Sequence, residues 1–248
     1  MKSYKQLLVL IVLFLFISSS TIKAQESEGK SYEMVEITYI QPKIGSEKML
    51  EKGIMEHNKI YHNDGLVKGH LDLILTGNEA GWYVWVMGSC MYTDLDDRQS
   101  EESHGYDWTS KISPHVKKYG RTELWRLNED LSFSFNDTPP NYETVWFVDI
   151  KRGKTNEFIE FMAKMKVAYQ KKGDSEYNVY FNQFNDNDGR DAAITWLFNH
   201  WINFDRNRDN LKSTYESIYG KGSWEKAMDK WYSITNHVQS QVWKIGMD

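Results

Sequence analysis

His70 and Asp72 stand two residues apart in Gly69–Thr76, a segment that alternates polar with apolar residues. On a strand that spacing puts both side chains on one face, where a carboxylate can orient an imidazole for general acid–base work. His200 is a second imidazole candidate, and Glu36 and Arg126 are charged residues within other strand-like runs. Arg126 offers a fixed fork of donors that suits a carboxylate, either on a ligand or on Glu36. Other apparent motifs are weaker. His57 and His62 are five apart rather than four, and Glu56-His57 lacks the H-E-x-x-H spacing, so the pattern argues against a helical zinc pair and no metal is assigned. Asn185-Asp186-Asn187-Asp188-Gly189 does not keep the ligand register of a calcium loop and reads as a hairpin turn. His104, His115 and His237 read as surface or capping residues, and the single Cys90 as a buried structural thiol. There is no G-x-S-x-G, phosphate loop or dinucleotide glycine pattern.

The elements that must position these residues occur twice. Tyr32-Glu33-Met34-Val35 opens a stretch closing on Glu123-Leu124-Trp125-Arg126-Leu127, and Tyr142-Glu143-Thr144-Val145 opens one closing on Gln241-Val242-Trp243-Lys244-Ile245. In the first copy, Met34–Ile40 reads as a strand, Ser46–Tyr61 as a helix, Gly69–Thr76 and Trp82–Tyr92 as a hairpin, and a second helix precedes the strand Thr122–Leu127. The second copy repeats the order, with a longer helical region from Phe204 to Val238 broken at Gly220-Lys221-Gly222 into two expected helices. Each unit is βαββαβ, over residues 32–127 and 142–248, joined by a linker at 128–141 that carries Pro139-Pro140.

Lys2 and Lys5 precede an apolar run from Leu7 to Ile17, and a small residue follows at Ala24. That succession matches a secretory signal over residues 1–24 and predicts a periplasmic or secreted protein with no stable membrane span after cleavage. Cleavage removes three lysines and no acids, so the formal charge moves from −5 to −8. An acidic exported chain lacks the electrostatics for nucleic acid, and one cysteine allows no internal disulfide. Ten Trp, 15 Tyr and 11 Phe give ample apolar area for two packed units.

βαββαβ is the ferredoxin-like plan, an α+β unit with both helices on one face of an antiparallel sheet. Aromatic strands require a cover on the other face, and the second copy is that cover. On the element order and the duplicated Trp-bearing strands, the chain resembles the dimeric α+β barrel superfamily, which includes antibiotic-biosynthesis-type monooxygenases, haem-degrading oxygenases and NIPSNAP-like domains, here fused in tandem. With Val35, Ile37 and Tyr39 assigned to the helical face, Glu36, His70, Asp72, Arg126 and His200 are expected between the sheets. Trp85 and Trp196, taken as equivalent, are expected there too. Such a chamber suits a small, flat, partly anionic ligand. The pattern carries three readings: a small-molecule-binding protein of the cell envelope, an oxygenase-like or isomerase-like enzyme using His70 or His200, and an assembly module with a filled lumen. It names no cofactor and sets no oligomeric state.

Overall fold

The computed structural model describes residues 32–63, 68–96, 102–134, 140–173, 176–184, 188–206 and 210–247. The expected signal segment and the turn residues 185–187 lie outside this set. Eight strands run β1 Met34–Pro42, β2 Lys68–Ile74, β3 Tyr83–Cys90, β4 Val116–Leu127, β5 Tyr142–Ile150, β6 Tyr177–Asn182, β7 Ala192–Phe198 and β8 Thr235–Lys244. They close into one barrel in the order β1-β3-β2-β8-β5-β7-β6-β4, with every pairing antiparallel. The copies are sewn together edge to edge. β2 meets β8 through Leu73 with Lys244 and Ile74 with Trp243, and β4 meets β6 through Trp125 with Asn182 and Leu127 with Tyr180. These joins are short, two residue pairs between β2 and β8 and three between β4 and β6, but they give every edge strand a neighbour.

The first long helix, α1, is Glu47–Tyr61, and two short helices follow β3, α2 Tyr92–Asp96 and α3 Glu102–Asp107. A π turn at Trp108–Ile112 and a 3-10 turn at Ser113–His115 then lead into β4. In the second copy, α4 is Thr155–Lys172, and the region after β7 contains α5 Ile202–Arg206, α6 Asn210–Tyr219 and α7 Ser223–Ile234. Sequence patterning expected two helices in that region. The described residues hold three, and β8 begins at Thr235, earlier than the apolar run ending at Ile245 implies.

α1 buries Leu50, Gly53, Ile54 and His57, the i, i+3, i+4, i+7 stripe of a helix on a sheet. α4 buries Phe158, Phe161, Met162 and Met165 on the same spacing. It stops at Gly173, whose φ of 74° only glycine adopts without strain and whose N–H bonds Tyr169 O. Counted from the turn glycines Gly45 and Gly153, the two stripes coincide residue for residue. Gly53 permits a close approach, since a Cβ there would stand 3.0 Å from the carbonyl oxygen of Lys111 in the π turn.

The barrel wall sorts side chains by alternation. Ile37, Tyr39, Ile74, Val84, Val86, Trp125, Val145, Phe147, Ala193 and Trp243 form the lumen cluster. Ile40, Leu50, Ile54, Trp85 and Met87 pack between the first sheet and α1. Among the described residues no helix is long and apolar enough to cross a membrane.

Candidate functional site

The lumen holds a cavity of about 250 Å³. Val35, Ile37, Val86, Trp125, Val145, Phe147, Ala193 and Trp243 make most of it apolar, and His70, Asp72, Glu143, Asn178, Tyr180 and Thr195 supply a polar side. Asp72 and Glu143 come from β2 and β5, which flank β8. Asp72 is 2 % exposed, accepts the Gly246 N–H at 2.9 Å and lies 3.4 Å from His70 Nε2. The His70 side chain is 43 % exposed, so this acid–imidazole pair reaches solvent.

Glu143 has the most telling electrostatics. Burial first, and then the neighbouring Asp72 carboxylate, push its pKa up to about 8, with His70 opposing them. At neutral pH it is therefore mostly a neutral acid that can donate a proton. A carboxyl group driven protonated beside another carboxylate and an imidazole is the kind of separation that supports acid–base chemistry. Tyr180, also on the wall, is kept neutral chiefly by its burial.

A different arrangement fills another part of the lumen. Arg190, 1 % exposed, enters from the chain just before β7. It bonds Glu123 Oε2 at 2.8 Å and Tyr39 Oη at 2.7 Å, and its guanidinium carbon lies 3.3 Å from the Phe147 ring centre. Burial disfavours its charge, but Tyr39 and Glu123 outweigh that and hold it protonated. Trp125 Nε1 donates to Glu123 at 3.2 Å. In the second copy Gln241 stands in the place of Glu123: Trp243 Nε1 donates to Gln241, and Gln241 donates across to Glu79 of the first copy, each at 2.7 Å.

Of the residues expected in the chamber, the structure brings His70 and Asp72 together on the cavity wall. It places the others elsewhere. Glu36 is buried on the face of β1 opposite Val35 and Ile37. Trp85 lies under α1 and donates from Nε1 to Asn58 at 3.1 Å, while Trp196 packs against the core beneath α4. The two tryptophans are also out of step by two residues. Trp85 pairs with Thr38 and Trp196 with Thr144, whereas the match set by Trp125 with Val35 and Trp243 with Glu143 aligns Thr38 with Trp146. Arg126 is exposed, with its guanidinium 4.0 Å from the centre of the Tyr32 ring, and His200 is exposed in the turn after β7. The reason is that the lumen is itself apolar. Val35, Ile37 and Tyr39 fill it, so assigning the apolar set of β1 to the helices inverted that strand. Glu143 was missed for the same reason, although it alternates with Val145 and Phe147 and shares their face.

A second cluster lies on the helical side of the first copy. One ligand atom from each of His57, His62 and His104 falls within 4.8 Å of the others. The i, i+5 count that argued against a metal pair assumed one continuous helix, and α1 ends at Tyr61. His62 is the cap residue, at φ −134° and ψ 24°, which turns its ring back toward His57. His104 arrives from α3, which no local spacing could reveal. His57 Nδ1 lies 2.9 Å from Asp107 Oδ2, and Lys111 Nζ lies 2.5 Å from Asp107 Oδ1. Burial raises the pKa of Asp107, but the bonds from Lys111 and His57 together hold it below the usual carboxylate range. Burial also keeps His57 below the usual imidazole value. Cys90 is buried, as expected, with its thiol directed at Met34 O at 3.3 Å.

No protein-family model matches the chain, and no curated protein matches it in sequence. Solved structures do match in fold. A protein of Lactobacillus acidophilus provisionally named a monooxygenase aligns with a TM-score of 0.55 at 8 % identity, over 87 % of this chain and 94 % of its own. One of Fusobacterium nucleatum with the same provisional name gives 0.55 at 8 %, over 87 % and 93 %. An anthrone oxidase-like protein gives 0.52 at 9 %, over 87 % and 92 %. The fold is therefore of the dimeric α+β barrel type, with both copies in one chain. Identities this low speak to fold alone.

Proposed function

We propose that the protein binds a small, flat, mostly apolar and uncharged molecule in the barrel lumen. The observation that carries this reading is the cavity itself, walled by Trp125, Trp243 and Phe147 and bounded on one side by Glu143, Asp72 and His70. The expectation of a partly anionic ligand is revised. Arg126 is outside the lumen, Arg190 is committed to Glu123, and the polar side of the cavity is acidic, so a ligand carboxylate would meet Asp72. The protonated Glu143 instead offers a donor to a carbonyl or hydroxyl.

A second, catalytic reading rests on that same group. Glu143 as acid, with His70 and Asp72 as a solvent-connected base pair, can move a proton to and from a bound enol, phenol or ketone. The oxygenase-type names of the structural relatives agree with such chemistry without establishing it. Export to the cell envelope is part of the proposal and rests on the Lys2 to Ala24 succession. Mass spectrometry of the mature protein would then find Gln25 at or near the N-terminus.

The direct test compares a neutral and an anionic probe on the same naphthalene ring by calorimetry at pH 7. We expect 2-naphthol to bind at least tenfold more tightly than 2-naphthoate, and both to lose affinity when Val86→Phe narrows the lumen. Tighter binding of the carboxylate, or affinities indifferent to Val86→Phe, would remove the proposal.

A further inference from the structure

The three-histidine cluster is separate from the lumen, and its details go beyond a meeting of aromatic rings. His62 Nε2 and His104 Nε2 are 3.2 Å apart, close to the roughly 3.3 Å separating two nitrogens that each lie about 2.0–2.1 Å from one tetrahedral ion. His57 supplies the third nitrogen. Its Nδ1 faces the Asp107 carboxylate, which fixes the proton on that atom and leaves the Nε2 lone pair directed away from Asp107. That Nε2 is fully buried and has no hydrogen-bond partner. An orphaned acceptor in a core is costly unless something occupies it, and the carboxylate–histidine arrangement is the usual outer support of a metal-bound imidazole.

The duplicated fold supplies an internal control. His57 occupies the place of Met165 in the buried stripe of α4, so packing at this position asks only for a medium-sized apolar side chain. Nothing about helix-on-sheet packing requires the imidazole, still less the Asp107 and Lys111 behind it. The surroundings complete a metal shell. Trp85 and Trp108 flank the histidines, with ring centres 5.3 Å from His62 and 5.2 Å from His57. The π turn that begins at Trp108 follows directly on Asp107, an irregularity often kept at functional sites.

We infer that His57, His62 and His104 bind one divalent transition-metal ion of the zinc class, oriented by Asp107 and leaving one tetrahedral position for water. Three imidazoles without a thiolate suit Zn(II), and ligands from the end of α1 and from α3 make the ion a clamp between those helices. The lumen ligand and its acid are not involved.

The test uses untagged protein stripped with a chelator and titrated with Zn(II) alone, with Co(II) as a spectroscopic probe. We expect one ion per chain, an intense visible Co(II) band of tetrahedral type, and a melting temperature that rises about 5–10 °C at a hundredfold excess over Kd. His104→Ala, at a half-buried position that need not disturb the core, should weaken binding at least a hundredfold, and Asp107→Asn about 10- to 100-fold. His237→Ala, at an exposed histidine far along the chain, should leave affinity unchanged. Absence of one-to-one binding, or equal affinities in His104→Ala and wild type, would overturn the inference. If His104→Ala loses binding but Asp107→Asn does not, the site stands and the orienting role of Asp107 falls.

Discussion

The two copies share an apolar frame and differ in where polar groups replace it. Leu50, Gly53, Ile54 and His57 of α1 stand where α4 has Phe158, Phe161, Met162 and Met165. On the lumen wall, Val35, Ile37 and Tyr39 stand where β5 has Glu143, Val145 and Phe147, because Val35 and Glu143 pair with the equivalent tryptophans Trp125 and Trp243. By the same register Tyr83 and Ala192 are equivalent, since they pair with Ile40 and Val148, so Arg190 stands where the first copy has the turn glycine Gly81. The first two comparisons show that the places of His57 and Glu143 accept an apolar side chain in the other copy, and the third that the first copy does without a side chain at the place of Arg190. Buried polar groups cost stability unless satisfied, so His57, Glu143 and Arg190 are extras added to a frame that does not need them.

The largest effect should come from breaking the Arg190 arrangement. Arg190→Met leaves Glu123 buried beside Tyr39 and should cost about 3–5 kcal/mol in urea unfolding. Removing both charges in Arg190→Met/Glu123→Gln should recover most of that loss. A single variant costing under about 1 kcal/mol would mean that Arg121, 3.5 Å from Glu123, suffices, and that the pair is not a buried one in energetic terms.

Glu143→Gln should change how stability depends on pH. The folded protein holds this proton up to about pH 8, while the unfolded chain releases it near the ordinary carboxylate value. Native protein thus binds more protons in that window, and wild-type stability falls as pH rises through it. The fall approaches about 1.4 kcal/mol per pH unit as an upper limit, less where cavity solvent screens the charge. The variant should lack this slope between about pH 5 and pH 8, so it becomes relatively more stable at the alkaline end. Parallel curves for the two proteins would contradict the raised pKa.

The smallest effect is expected for His57→Met, which installs the side chain of the second copy. In chelator, its stability should stay within about 1.5 kcal/mol of wild type, as a swap of comparable volume, while zinc no longer raises its melting temperature. Failure to fold would instead make the His57–Asp107 bond a requirement of the first copy.

The element order and the duplication were legible because they depend on local periodicity and turn residues. Gly45 and Gly153 punctuate the two halves alike, and the stripes on α1 and α4 repeat every three to four residues. The faces of the strands were not legible to the same degree. Alternation separates two faces but does not label them when both are buried, and in a closed barrel both β1 faces carry apolar residues. On β2 the labelling was easy, because His70 and Asp72 alternate with leucines that pack under α1. The histidine cluster depends on a helix end, a π turn and contacts across 42 residues of sequence, none of which periodicity records.

On the proposed function, the lumen presents a protonated carboxyl group to its ligand. A carbon-13 NMR titration of the Glu143 carboxyl measures this most directly, in free protein and with 2-naphthol bound. A midpoint near pH 8 that moves higher on binding is the predicted result. A midpoint in the ordinary carboxylate range near about 4.3, unmoved by the probe, would contradict it.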